Sequence, residues 1–444
     1  MSCYSGIRRV SALLFTLCMI YIGCDRPEGS GIERDKTNNQ LLNRLNQQLT
    51  KATIAGTLSP PAAARCFAYA NIGAYESVAL RETEYSGFSG KLSGYSLPLI
   101  EIDTNLYIEE IAVVKVFSIM AREGVFHPQL IDELAAQLTD SLTACYDNRK
   151  VEYTLEISSR LADHLLQWMR ADGFAEMRAL PRYTILNEPW SWEPTPPKYS
   201  EALDPWWHKI RPFVMDSASL FRPKLKVAFS EEPGSEFHNY ALEVQQSVLS
   251  LDAEQQHIAN FWDCNPYLTR REGHSIKAVR QMSPGAHWIG LVRDACTANE
   301  LSIEESTFRT AITAIALHDG FISVWEAKYH YHLIRPETYI NRYIDPKWRP
   351  LLETPHFPEY PSGHSAVSAS ASTVLSELFG SNYAFVDSLE MPFGKPPRSF
   401  NSFKEASDEA ALSRLYGGIH YRFSNEDGVS QGERLGQLVL TRLN

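Results

Sequence analysis

From Pro60 to Leu80 the chain reads PPAAARCFAYANIGAYESVAL, with Phe67, Ala70, Ala74 and Val78 at the three-to-four spacing of one helical stripe. Pro60-Pro61 suits the first turn of that helix, where a missing N–H costs nothing. The same period runs through Tyr107–Met120, Leu130–Cys145 and Val151–Arg170, and returns at 236–259, 286–299, 303–332, 363–380 and 405–416. Alternating patterns are few, so the expected fold is all-α. Residues 172–235 break the pattern with Pro, Trp and other aromatics (NEPWSWEPTPPKYS, DPWWHKIRPF), which predicts a long irregular segment that wraps the surface or lines a site mouth.

The N-terminus carries a different signal. Arg8 and Arg9 precede an apolar run from Val10 to Ile22, shorter than the roughly 20 residues a spanning helix needs. The run ends in Tyr21-Ile22-Gly23-Cys24, which resembles the lipobox of bacterial lipoproteins, in which the cysteine is acylated after cleavage. A plain secretory signal and an uncleaved anchor are the alternatives, and all three place the mature chain outside the cytoplasm, in the cell envelope. Residues 24–45 are polar and read as a flexible tether from a membrane anchor. The body divides into an N-terminal helical half, 46–235, and a C-terminal half, 236–444.

Composition narrows the function. With 44% apolar residues the chain has ample material for a core, and a net charge of −11 argues against a nucleic-acid partner. Beyond the signal and Cys24, the four cysteines Cys66, Cys145, Cys264 and Cys296 are widely spaced, which makes a zinc site unlikely on motif grounds and leaves disulfides and buried thiols both open.

The candidate chemistry lies in three stretches. In SVWEAKYHYHLIRPETY, Lys328 and Arg335 are two helical turns apart, roughly 10 Å on one face if the helix persists, with Trp325 on the same side and Pro336 ending the element. In YPSGHSAVSAS, Ser362 and Gly363 stand at a predicted helix start, where unpaired N–H groups and the positive end of the dipole favour an anion, with His364 beside them as a proton donor. The small residues Ser365, Ala366, Ser368, Ala369 and Ser370 let that helix pack closely. In LSRLYGGIHYRFSNEDG, the Gly417-Gly418 pair allows a bend that brings Arg414 and His420 together. Three cations, a hydroxyl, an amide and two histidines can surround a tetrahedral oxyanion.

Lys328-x6-Arg335-Pro336, then Pro361-Ser362-Gly363-His364, then Ser413-Arg414-x5-His420, separated by 24 and 48 residues, resembles the three-part signature shared by vanadium-dependent haloperoxidases, type-2 phosphatidic acid phosphatases and bacterial acid phosphatases. The segments ARCFAYANIGAYESV, VFHPQ, FWDCNP and PGAHW resemble the haloperoxidase branch, as does the chain's length. The resemblance implies an all-α bundle with vanadate as cofactor, hydrogen peroxide and halide as substrates, and a small organic acceptor. It implies that His420 ligates vanadium, and that Lys328, Arg335, Arg414, Ser362 and Gly363 hold the vanadate oxygens. His364 is the implied acid–base group, and Trp325 and Phe357 flank the halide. A phosphatase with His420 as nucleophile is the second reading, and a non-catalytic oxyanion-binding lipoprotein the third.

One position departs from the pattern. Ser424 stands where the family usually has an Asp that orients the site histidine, and Glu426 or Asp427 is the expected substitute. The resemblance also hints that Asp319 partners the site cations. His287 and His318 are expected to be structural, with a supporting role at the site as the alternative, His330 and His332 are expected to face away, and His127 to pack at a helix start.

Overall fold

The computed structural model describes residues 31–81, 87–272 and 274–444. The signal segment and Cys24 lie outside the described residues. In chain order the helices are α1 (Gly31–Ala55), α2 (Pro60–Ala79), α3 (Glu109–Glu123), α4 (Gln129–Thr143), α5 (Asn148–Arg170), α6 (Phe174–Arg178), α7 (Glu236–Leu249), α8 (Ala253–Phe261), α9 (Pro284–Ala298), α10 (Ile303–Tyr331), α11 (Pro336–Tyr343), α12 (Gly363–Phe379), α13 (Phe403–Tyr416) and α14 (Arg422–Leu443). Two short antiparallel hairpins, β1–β2 (Thr269–Glu272 with Ser275–Ala278) and β3–β4 (Phe385–Asp387 with Arg398–Phe400), and single 3-10 turns at Trp207–Lys209 and Met391–Phe393 are the other regular elements described. No helix among the described residues is long and apolar enough to cross a membrane.

Helices α2 and α10 have almost no polar face and are buried along nearly their whole length, which places them at the centre. Helix α2 packs against α3 and α10, α10 against α12, and α12 against α14. One apolar cluster runs continuously from Leu41 in α1 to Leu443 in α14. A second gathers Phe237, Tyr339, Tyr360, Tyr421 and Phe423 behind the C-terminal motifs. Local signals set the helix starts: Ser59 caps α2 with prolines following, and Ser302 and Glu305 form a capping box on α10.

The expected helices are present, with three differences of physical interest. The stretch 236–259 is two helices, because Asp252 forms a capping box with Gln255 and starts α8 afresh. The end of the expected tether, 40–45, belongs to α1, and Leu41, Leu42 and Leu45 are buried: its apolar residues are few but share one face. Helix α14, unsuspected from the sequence, carries Gly428, Gly432 and Gly436 on one stripe. Glycine reads as a helix breaker, yet here it allows close approach. A Cβ at Gly428 would stand 2.7 Å from the Ser362 carbonyl oxygen, one at Gly436 2.7 Å from that of Ser370, and one at Gly432 would collide with that of Ala366. The small residues of α12 are the other side of this seam.

Gly432→Ala gains helix propensity of up to about 1 kcal/mol but must push the two helices apart at a cost of about 1–3 kcal/mol or more, so a net loss of stability is expected. A lower denaturant midpoint than wild type is the expected reading, and an unchanged midpoint would show the seam to be looser than this packing implies.

Candidate active site

The three motifs converge. Trp325, Phe357, Gly363, His364, Arg414 and His420 line one pocket, together with Asp263, Cys264 and Pro284 from the segments before the core motifs. Lys328 and Arg335 sit just behind this wall: the Lys328 ammonium and the Arg335 guanidinium each lie 5.0 Å from the centre of the Phe357 ring. They are not on one continuous helix. His332 takes a left-handed conformation (φ 51°) that ends α10, and Arg335 becomes the extended residue before Pro336 of α11. The two cations meet through the loop 357–361 that passes between them.

That loop is built as an acceptor. Lys328 Nζ donates to the carbonyl oxygens of Pro358 (3.0 Å), Glu359 (2.9 Å) and Pro361 (2.6 Å). Burial, with Arg335 nearby, pushes its pKa well below the usual lysine range, and Glu359 opposes the shift. Three acceptors for three protons argue that the side chain is an ammonium. Arg335 donates from Nε to Phe357 O (2.9 Å) and from Nη1 to Ile419 O (2.9 Å) and His420 Nε2 (3.2 Å). Its Nη2 is buried with no protein partner. Burial lowers its pKa to about 10, which leaves it charged at neutral pH.

Glu359 is the residue that sequence reasoning missed. Its Oε1 accepts from His420 Nδ1 at 2.7 Å and from the Tyr421 amide at 3.1 Å. With Nδ1 carrying the proton, Nε2 of His420 holds a lone pair directed at Arg335 and the pocket. The expected substitutes do not serve: Asp427 accepts from the Tyr360 hydroxyl at 2.7 Å, and Glu426 is exposed. Ser424 is buried beside Glu359 and helps hold the carboxylate down, though its hydroxyl makes no well-formed hydrogen bond. Burial raises Glu359 to about 7 against the pull of Arg335 and Lys328. The same burial, reinforced by Arg335, Lys328, Arg414 and His364, drives His420 well below the usual histidine range, so the ring is neutral. The signal available in the sequence was a lone carboxylate in HFPEYPSGH, in a loop too apolar to be solvated.

Ser362 caps α12, its hydroxyl accepting from the Ser365 amide (3.4 Å) and hydroxyl (2.8 Å). Gly363 and His364 open the helix, where amides have no intrahelical partner. His364 Nε2 is buried and unpartnered, and burial, followed by Arg414, His287 and Lys395, holds its pKa well below the ordinary value. Arg414 donates from Nε to Ser413 Oγ (2.9 Å) and from Nη2 to Trp262 O (2.6 Å). The carboxylate that offsets its burial is Asp263, from FWDCNP. The rings of Trp325 and Phe357 are 4.9 Å apart at 48°.

Asp319 does not partner the site cations. Its carboxylate accepts the amides of Phe213 (2.8 Å), Val214 (2.9 Å) and Met215 (3.3 Å) and so ties the irregular segment onto α10. His318 is buried in the core with its pKa lowered to about 3 by burial. His332 bonds the Tyr183 hydroxyl (2.7 Å) and His330 approaches Arg222, both away from the pocket, while His127 sits at the start of α4 beside Gln129. His287 is buried next to the site, its Nε2 2.6 Å from Asp387. Cys66, Cys264 and Cys296 are buried thiols.

Comparison with known proteins agrees with this geometry. The family model for the second helical-bundle domain of VCPO matches residues 309–444. Among solved structures, a bacterial vanadium-dependent iodoperoxidase is 39% identical with a TM-score of 0.85, over 91% of this chain and 96% of that one. Two bacterial vanadium-dependent chloroperoxidase structures share the fold: the holo form at 15% identity (TM-score 0.66, 88% and 93% of the two chains) and the apo form at 16% (TM-score 0.63, 87% and 94%). A search of curated proteins gave no match. With its three motifs gathered on one pocket and a relative of this identity spanning almost the whole length, the chain belongs to the vanadium-dependent haloperoxidases, enzymes that use vanadate to oxidise halide with hydrogen peroxide.

Proposed function

We propose that this chain holds vanadate through Nε2 of His420 and oxidises iodide, the halide of its 39%-identical relative. The observation that carries the reading is His420 itself: Nδ1–H fixed on Glu359, and Nε2 unprotonated among buried cations. A carboxylate on the far nitrogen sets the tautomer and raises the basicity of a histidine ligand. The protein's donors fit an oxyanion. Arg335 Nη2 lacks a partner, and the Ser362 hydroxyl stands at the start of α12, beside the Gly363 and His364 amides that precede the capped Ser365 amide. The cations Arg335, Lys328 and Arg414 outnumber the carboxylates Glu359 and Asp263 that face them, which suits an anion. Lys328, with its protons on the loop carbonyls, contributes charge and holds the loop in shape.

Bound vanadate supplies a Lewis-acid centre that makes peroxide electrophilic toward halide. The chain's own residues position and protonate. His364, neutral and with a free Nε2 on the pocket wall, accepts a proton from incoming peroxide and returns it to the departing oxygen. Trp325 and Phe357 form an apolar wall that strips water from the halide, and the positive edge of an aromatic ring suits a large, soft anion. A small organic acceptor takes the oxidised halogen at the pocket mouth. The Arg8-Arg9 pair and the apolar run before Cys24 support a lipid anchor that places the enzyme in the cell envelope, where peroxide and halide are at hand.

Loaded with vanadate, the full chain is expected to oxidise iodide with hydrogen peroxide, and His420→Ala to lose both vanadate binding and activity. Glu359→Gln keeps an acceptor but no charge, and is expected to weaken vanadate binding about 10- to 100-fold in a titration of the folded variant, with a lowered melting temperature because Lys328 and Arg335 lose their buried counter-charge. Full vanadate affinity in either variant would refute the assignment. His364→Ala is expected to lower kcat by about 10²- to 10⁴-fold while vanadate affinity stays within threefold, and an equal loss in both would make His364 a binding group instead. Cells fed a labelled fatty acid should label the wild-type chain and not Cys24→Ser; label retained in the variant would exclude Cys24 as the anchor.

A further inference from the structure

Behind the vanadate pocket, four separate elements bring side chains to one buried point. Cys264 follows α8, His287 lies on α9, Asp387 ends β3, and Glu390 follows in the next turn. Asp387 Oδ2 is 2.6 Å from His287 Nε2, which fixes that nitrogen as an N–H and turns Nδ1 the other way. Facing Nδ1 are Cys264 Sγ at 3.8 Å and Glu390 Oε1 at 3.4 Å, and the three ligand atoms all lie within 4.8 Å of one another. None of the four side chains is more than marginally exposed.

We infer that Cys264, His287 and Glu390 form a binding site for a divalent, zinc-class metal ion. Tetrahedral zinc with bonds of about 2.3 Å to sulfur and about 2.0–2.1 Å to nitrogen and oxygen spaces sulfur and nitrogen ligands about 3.6 Å apart, and nitrogen and oxygen about 3.3 Å. The observed 3.8 and 3.4 Å are close to these edges before any adjustment. Glu390 supplies an independent sign: its Oε1 is buried and accepts no hydrogen bond, while Oε2 is held by Lys395 at 2.8 Å. Without a metal, Asp387 outweighs burial and raises the His287 pKa well above its ordinary value, so that an Nδ1 proton faces this carboxylate, and a bound metal ion would take that proton's place. Asp387 on the far nitrogen completes the carboxylate–histidine–metal arrangement. A thiolate and a carboxylate neutralise the divalent charge, and the Cys264 thiol proton and the His287 Nδ1 proton leave to solvent on binding, so affinity falls as the pH is lowered.

The site would act as a pin. Cys264 lines the vanadate pocket, and Trp262, two residues earlier, offers the carbonyl that Arg414 grips. A metal bridging Cys264 to α9 and to the Glu390 turn fixes the segment that aims Arg414. This inference does not depend on which oxyanion or halide the pocket takes.

The full chain, stripped by chelator and dialysed against zinc, is expected to retain one zinc per chain by elemental analysis. Loaded with cobalt(II), it is expected to show a thiolate-to-metal charge-transfer band in the near ultraviolet. Cys264→Ser and His287→Gln should lose the bound zinc and Cys264→Ser the band, Asp387→Asn should weaken zinc binding about 10- to 100-fold, and Cys66→Ser should match wild type. A wild-type chain that retains no zinc, or folded Cys264→Ser that retains as much as wild type, overturns the site. Should Cys264→Ser fail to fold, the wild-type cobalt spectrum decides: bound cobalt without the thiolate band overturns it as well.

Discussion

Burying cations away from water is the constraint on which the rest of the site depends. An isolated ammonium or guanidinium in an apolar interior is too costly to persist, and it survives where carbonyls and carboxylates take the place of water. Here the five residues 357–361 supply that environment. The carbonyls of Phe357, Pro358, Glu359 and Pro361 all accept from Lys328 or Arg335, and the Glu359 carboxylate faces the same pair. The strap is held to the cations as firmly as they are to it. Because it runs directly into Ser362, the interaction that makes the charges tolerable also positions the start of α12.

The same strap explains how a chain without the usual aspartate orients its histidine. Ser424 lies on α14, the helix that starts two residues after His420, and an acid there would approach from that helix. Glu359 approaches from the opposite side, and reaches Nδ1 and the Tyr421 amide with one oxygen. Placing the carboxylate in the strap puts it nearer Arg335 and Lys328, so one group serves as counter-charge to the cations and as orienter of the imidazole. Such a double role is economical but tightly coupled, since any movement of the loop shifts the charge balance and the histidine together.

Much of this was legible in the sequence because it is local. The periodic runs became α2, α3, α4, α5, α9, α10, α12 and α13, since each has an apolar face whose partner need not be known for the helix to be recognised. Lys328, Arg335, His364, Arg414 and His420 were legible because their spacings within motifs are short, and the structure brings them around one pocket. What was not legible is relational. Glu359 is an ordinary glutamate until the fold sets it against His420, and Asp319 reads as a site residue until it is seen holding the 213–215 amides. Helix α14 was hidden for the same reason: its glycines weaken the local helix signal, and only the nearness of α12 shows why no other residue fits.

That nearness bears on chemistry as well as on packing. The Ser362 amide donates to Ser424 O at 3.1 Å, and Gly428 passes against the Ser362 carbonyl, so the start of α14 is braced on the start of α12. His420 and His364 stand at these two braced ends. Between them the fold leaves Arg335 Nη2 and His364 Nε2 buried without protein partners, each at a cost of about 1–3 kcal/mol. A chain that folds around such groups holds them in place through its packing, not through their own bonds. Donors held in this way are already aimed, so an anion that bound there would gain hydrogen bonds without the cost of ordering them.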